Sequence, residues 1–211
     1  MQTIKGATVC FVHTGKRLLG ISAAHVHLEC VSALKSDPKI ACQLGGHSFD
    51  PDRYVLAMDK ELDLVVYGLS EVQVNATGAY IHHAPVWPPV VADGNACVMG
   101  GWLWSLSEDG DHQVTHSFLH FITRFQTHFQ AKLGIVTGTS TSIPWGQNPL
   151  PRGTNLGGMS GGPVYCVSER AGLVQMTLVG IVYEYQPSFE IALARPLSLI
   201  DVHGSIRASL H

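Results

Sequence analysis

Residues 155–164 read NLGGMSGGPV, and this stretch decides how the rest of the chain is read. Ser160 stands between Gly157-Gly158-Met159 and Gly161-Gly162. Such a density of glycine lets a backbone turn sharply or approach a ligand closely. A nucleophilic hydroxyl needs both properties. Its side chain must project into solvent, and neighbouring N–H groups must converge on a developing oxyanion. A plain glycine-rich turn is the other reading of the same residues.

Two upstream segments bear on that choice. Residues 20–26 read GISAAHV, so Ser22, Ala23 and Ala24 lead into His25. Small neighbours can leave a tight niche for an imidazole, although a lone histidine is more often structural and this chain has 12. Residues 61–69 read ELDLVVYGL, with Asp63 at the head of an apolar strand. A carboxylate there costs free energy unless it is hydrogen-bonded. One available partner is the Nδ1 proton of a histidine. The other reading is a turn residue at a strand entry, and Asp59 is the nearest competitor. The order His25, Asp63, Ser160 separates two architectures. An α/β-hydrolase sheet places its acid and histidine after the serine. Only 51 residues follow Ser160, with His203 and His211 as their histidines. They are too few to complete such a sheet.

Short β-type runs dominate the 211 residues. In the first half they cover Ala7 to Val12, Arg17 to Ser22, Arg53 to Met58 and Leu62 to Leu69. The second half carries Ala96 to Met99, Phe118 to Phe129, Gly134 to Thr139, Gly162 to Val167, Gln175 to Tyr183 and Phe189 to Ala194. Alternation, β-branched residues and frequent turns among 22 glycines and 11 prolines predict an all-β sandwich or barrel. The Pro-rich stretch 84–93, APVWPPVVAD, resists strand pairing and reads as a connector between an N-terminal half, 1–83, and a second half, 94–195. Residues 196–211 suggest a C-terminal helix with Leu197, Ile200 and Ile206 on one side.

Hydrophobic residues make up 45% and charged residues 14%, which supplies a core and argues against disorder. Thirteen Lys+Arg against 16 Asp+Glu, with no basic run, give no footprint for nucleic acid or an anionic membrane surface. The cysteines, Cys10, Cys30, Cys42, Cys97 and Cys166, are odd in number and lack CxxC spacing, so most read as buried free thiols. Lys5, His13, Lys16 and Arg17 interrupt the N-terminal apolar stretch, and no signal peptide or membrane span is expected. A cytoplasmic location follows as an expectation.

Taken together, these segments carry a family resemblance. SAAH resembles the TAAH segment of chymotrypsin-like serine peptidases. LDLVV resembles their D-[IL]-[AV]-[LV] strand, and GMSGGPV their G-[DN]-S-G-G-P-[VL] nucleophile segment. Weaker likenesses are CVMGGW at 97–102 and VGIVYEY at 179–185, the latter similar to a substrate-binding strand reading GIVSWG. The resemblance implies two six-stranded antiparallel β-barrels with a triad of His25, Asp63 and Ser160 between them. It implies an oxyanion hole from the N–H groups of Gly158 and Ser160. It also implies a specificity pocket based on Thr154 and walled by Ile181, Val182, Tyr183, Glu184 and Tyr185. Small or medium apolar residues are then expected at the cleaved position, with Glu184 as the feature that could instead favour a basic one.

The departures are informative. Val26 stands where the family often has Cys, so secreted disulfides are not expected. Met159 replaces the Asp that pairs with a newly cut N-terminus, and no IVGG start is present. The likeness is to bacterial or viral members that fold active or are switched by something else. The expected function is a serine endopeptidase acting on protein or peptide substrates, without a cofactor. A regulatory protein partner is a further expectation. A catalytically silent protease-fold binding module and an esterase using the same triad remain open. His112, His116 and His120 recur four apart. On a strand they spread over about 27 Å, too far for one metal, so no metal site is expected.

Overall fold

The structure is a computed structural model that describes residues 6–91, 96–109, 114–129, 131–137, 143–144 and 156–207. The first half contains β1 (Cys10–His13), β2 (Leu18–Ser22), α1 (Ala24–Ser36), β3 (Gln43–Leu44), β4 (His47–Ser48), α2 (Pro51–Tyr54), β5 (Val55–Asp59), β6 (Leu64–Gly68), α3 (Glu71–Ala76) and β7 (Ile81–His83). The second contains β8 (Ala96–Asp109), β9 (Val114–Phe129), β10 (Lys132–Val136), β11 (Ile143–Pro144), β12 (Pro163–Arg170), β13 (Leu173–Gln186) and β14 (Ile191–Pro196).

The second half forms a closed six-stranded barrel. Its order is β10-β14-β13-β12-β8-β9, and β9 pairs back onto β10, with β11 added on β9. Alternate residues point inward, as a strand's two-residue period requires. Cys97, Met99, Leu133, Ile135, Val164, Cys166, Ala192 and Ala194 fill the core, and Leu156 and Met159 join them from the turn before β12.

The first half closes only partway. Its strands form an open sheet, β5-β6-β2-β1-β7, in which β7 runs parallel to β1. The expectation of a second closed six-stranded barrel therefore gives way, among the described residues, to five strands with two edges. Two features oppose closure. The residues after α1 supply only the two-residue ribbon β3–β4. Pro85, Pro88 and Pro89 follow β7, and proline lacks the N–H that a ladder needs.

This sheet is covered on both faces, and strict alternation decides which side chain goes where. Phe11, Leu18, Val65 and Tyr67 face a cluster with Val74 of α3, Phe49 and Tyr54. Cys10, Val12, Leu19, Ile21, Leu64 and Val66 face the opposite way, onto Leu178, Ile181, Leu197, Leu199 and Ile200. One continuous core thus welds the open sheet to the outside of the barrel.

The expected C-terminal helix is also corrected over its described residues, 196–207, with 208–211 lying outside them. β14 runs through Pro196, a single 3₁₀ turn covers Leu197–Leu199, and Ile200 then bridges to Ile206. Asp201 is the cause. Its Oδ1 accepts from the amides of His203 and Ser205 at 2.8 and 2.9 Å, and Gly204 takes φ +93°. An Asx-type turn of this kind diverts amides that a helix would use. Trp87 of the connector donates to Ile200 O at 2.9 Å and ties 84–91 to this segment. None of the five cysteines is in a disulfide. Cys10, Cys97 and Cys166 are buried, and Cys30 and Cys42 are half-buried.

Candidate active site

α1 was not expected from the sequence, yet it carries His25. The run AHVHLECVSALKS has no Gly or Pro, and Pro38 follows its end. Its weakness is the start. Ala23 occupies the N-cap position and offers no side-chain acceptor for the exposed first-turn amides. Asp63 supplies that acceptor from 38 residues away, its Oδ1 accepting the His25 N–H at 2.8 Å. Its other oxygen, Oδ2, lies 2.7 Å from His25 Nδ1. One carboxylate therefore caps the helix and fixes the ring, with Nδ1 protonated and Nε2 left free as an acceptor. The positive end of the helix dipole favours an anion there.

Asp63 reaches this position from a left-handed backbone conformation, φ +51°, just before β6. Asp59, its competitor in sequence, is committed elsewhere, because its Oδ1 accepts the amides of Glu61 and Leu62, both at 2.9 Å. The electrostatics of the pair agree with its geometry. The hydrogen bond to Asp63 raises the His25 pKa, burial lowers it, and the charges of Asp63 and Glu29 raise it again, for a net rise. Burial pushes the Asp63 carboxyl up, but the bonds from the His25 ring and amide and the charges of His25 and Arg195 bring it below its ordinary value. Behind His25, buried His27 anchors the same helix, with Nε2 3.2 Å from Asp52 Oδ1 and Nδ1 3.2 Å from Tyr67 Oη.

The turn bearing Ser160 is held by its own peptide groups, by Thr8 and by Val182 of β13. The Met159 N–H donates to Leu156 O at 3.3 Å, and Gly162 N–H to Met159 O at 2.7 Å. Gly161 N–H donates to Val182 O at 2.8 Å, and Thr8 N–H to Ser160 O at 3.1 Å. Thr8 Oγ1 donates to Gly158 O at 3.3 Å and accepts from Trp102 N at 3.2 Å. Because N–H and C=O oppose each other across a trans peptide, these bonds fix which way each remaining amide faces. Among the described residues, the N–H groups of Gly158 and Ser160 donate to no other group of the chain. Gly158 has φ +96° and Gly161 φ +87°.

The two halves of the site meet at Gly161. A Cβ there would overlap Thr8 O and lie 2.5 Å from Ser22 Oγ, three residues before His25. Ser22 Oγ itself donates to Thr8 O at 2.8 Å. Gly162 is equally constrained, since a Cβ would run into the Gly100 carbonyl. Ala23 and Val26 at the start of α1 also pack on Tyr183 and Leu193 of the barrel. Among the described residues no hydrogen bond joins Ser160 Oγ to His25. Ser160 is half-buried, and the His25 side chain is 43% exposed.

Of the residues expected to form a pocket, Thr154 lies outside the described residues. Ile181 and Val182 are buried in the two main clusters. Tyr183 is buried, with the Arg195 guanidinium 4.1 Å from its ring centre. Glu184 is exposed and accepts from Gln186 Nε2 at 3.0 Å, and Tyr185 is half-buried. His116 and His120 lie on β9 and His112 outside the described residues, among which no group of His, Cys, Asp and Glu is arranged to hold a metal.

No family model and no curated protein matches this chain. Among solved structures it is similar to one described as "Aromatic interactions drive the coupled folding and binding of the intrinsically disordered Sesbania mosaic virus VPg protein". That likeness has 12% identity and a TM-score of 0.48, covering 90% of this chain and 78% of the other. Among the described residues no helix is long and apolar enough to cross a membrane.

Sequence reasoning passed over two residues at the site. The side chains of Thr8 and Arg195 make their hydrogen bonds to positions more than 60 residues away. The one available hint for Arg195 was a charged residue in the mostly apolar run IALARPLSLI.

Proposed function

We propose that this chain is a serine endopeptidase of the chymotrypsin-like class. The observation that carries the reading is the two-point grip of Asp63 on His25, which leaves Nε2 as a base. Ser160 is the nucleophile: His25 takes its proton as Oγ attacks the scissile carbonyl. The oxyanion is received by the uncommitted amides of Gly158 and Ser160, and the protonated imidazole then passes its proton to the leaving amine. Water, activated by the same imidazole, hydrolyses the acyl-enzyme. In this reading residues 1–83 are a reduced first barrel, 84–93 the connector and 94–195 the second barrel.

Met159 supports activity without proteolytic maturation. Related zymogens order this turn with an Asp paired to a new amino terminus. Here the turn is anchored by a thioether, 1% exposed, in the barrel core. Full burial of such a side chain contributes about 1.5–3 kcal/mol. Glu184, exposed and held by Gln186, supports a preference for small or medium apolar residues over basic ones at the cleaved position.

Incubation of the chain with a diverse peptide library, read by mass spectrometry, tests the reading. Internal cleavage that disappears in Ser160→Ala is the expected result. Cleavage that persists in Ser160→Ala contradicts it, and turnover of esters alone would favour an esterase. A folded chain that cleaves neither is the silent binding module.

A further inference from the structure

We infer that Arg195 is a positioning residue for this site: it clamps the turn that presents Asp63 and acts on His25 through that carboxylate. The inference deepens the peptidase reading and rests on it.

Arg195 leaves β14 of the barrel and crosses to the open sheet. Its Nε donates to Leu62 O, its Nη2 to Glu61 O at 3.4 Å, and its Nη1 to Ala131 O at 2.9 Å. These acceptors are the two carbonyls immediately before Asp63 and one in the turn between β9 and β10. The Glu61–Leu62 turn is thereby pinned from both sides. Asp59 takes its amides, and Arg195 takes its carbonyls. Asp63 follows directly, in a left-handed conformation that a non-glycine residue adopts only when its surroundings impose it.

A planar fork can satisfy three carbonyls at once, and the ammonium of a lysine cannot reproduce that geometry. The guanidinium also stacks on Tyr183, whose neighbours in the core include Ala23 and Val26 at the start of α1. One side chain therefore couples the Asp63 turn, the barrel and the base of the His25 helix. The charge has a second effect, since Arg195 helps hold the Asp63 carboxyl below its ordinary pKa. The charged groups acting on the His25 ring are Asp63 and, from its own helix, Glu29. Loss of Arg195 therefore reaches the ring through a loosened Asp63 bond. The expected sign is a fall of the His25 pKa towards its ordinary value.

The test compares wild type with Arg195→Met, Arg195→Lys, Asp63→Asn and the double variant Asp63→Asn/Arg195→Met. Two quantities are followed from pH 5 to 9: the rate at which a small fluorophosphonate labels Ser160, and the NMR titration of the His25 ring. Arg195→Met is expected to slow labelling roughly 10- to 100-fold, the scale of a small misplacement of reacting groups. Its His25 midpoint should fall. Arg195→Lys, which keeps the charge and most of the volume, should restore part of the midpoint but not the rate. In the Asp63→Asn background, Arg195→Met should change the rate by less than about twofold, because residues acting through one another are not additive. Labelling of Arg195→Met at the wild-type rate and midpoint, or a full additive loss in the double variant, overturns the inference. If Arg195→Met does not fold, Arg195→Lys carries the same comparison, and a wild-type rate in it overturns the clamp. Failure of wild-type Ser160 to label overturns the peptidase reading instead. The His25 titration then still decides Arg195: a lowered midpoint supports the clamp, and an unchanged one removes it.

Discussion

Asp63→Asn is the perturbation with the most specific consequence. The carboxylate accepts two hydrogen bonds from one residue, at 2.8 Å from the His25 amide and 2.7 Å from its ring. An asparagine offers one acceptor and one donor to the same pair of donors. Either the helix amide loses its partner, or the imidazole changes tautomer and presents a proton to Ser160 instead of a lone pair. Hydrogen bonds to a charged group contribute about 1.5–3 kcal/mol each when buried. The side chains of His25 and Asp63 are 43% and 22% exposed, so water screens the pair. About 2 kcal/mol for both bonds together is the expected loss on urea unfolding. The rate penalty should be far larger. In serine proteases with this triad, an imidazole held in the wrong tautomer costs about 10⁴ in rate, and labelling by a fluorophosphonate should slow by a similar order. The pH dependence has a defined sign. The folded pKa of His25 is raised, so its contribution is complete below about 6.5 and is lost as pH rises through the higher folded value. The folded pKa of Asp63 is lowered, so its contribution is present above about 4 and is lost as pH falls through the folded value. The stability gap between wild type and Asp63→Asn should therefore be widest between about pH 4 and 6.5 and narrower at pH 9. A variant that labels at the wild-type rate, or a gap that widens towards pH 9, would refute this reasoning.

Substitutions at three further positions test the nucleophile turn. Gly161→Ala places a Cβ against Thr8 O at φ +87° and should cost more than about 3 kcal/mol in urea unfolding, with proportionate loss of labelling. Met159→Ala empties a fully buried site and should cost about 2–5 kcal/mol, whereas Met159→Leu, of similar volume, should stay within about 1.5 kcal/mol of wild type. Thr8→Val keeps the shape but removes the hydroxyl that donates to Gly158 O. A loss of about 1–3 kcal/mol is expected, together with slower labelling, because the Gly158–Met159 peptide then keeps only the bond from Met159 N–H to Leu156 O.

The parts of this molecule legible in its sequence are those written in short range. The barrel strands could be read because inward residues such as Leu133 and Ile135, or Val164 and Cys166, alternate along each run. His25 and Asp63, taken singly, each read more readily as structural, and they are joined by their order with Ser160 and by the family resemblance of their segments. α1 escaped because its start has no local capping residue, its cap being a carboxylate 38 positions later. Closure of the first sheet was over-read, since no periodicity tells a five-stranded open sheet from a closed one. The C-terminal segment has a helix-like apolar spacing, but Asp201 and Gly204 turn it back before a second turn can form. The side chains of Thr8 and Arg195 hydrogen-bond to backbone carbonyls and amides that only the fold brings near, and such partners are not written in the sequence around them.

In the proposed mechanism Ser160 is a nucleophile activated by His25. Treatment of the folded chain with a fluorophosphonate, followed by intact-mass measurement and peptide mapping, tests it most directly. One adduct per chain is expected, on Ser160, and it should be absent from Ser160→Ala and from His25→Ala while both variants remain folded. No adduct on the wild type, or an adduct that survives in Ser160→Ala, contradicts it.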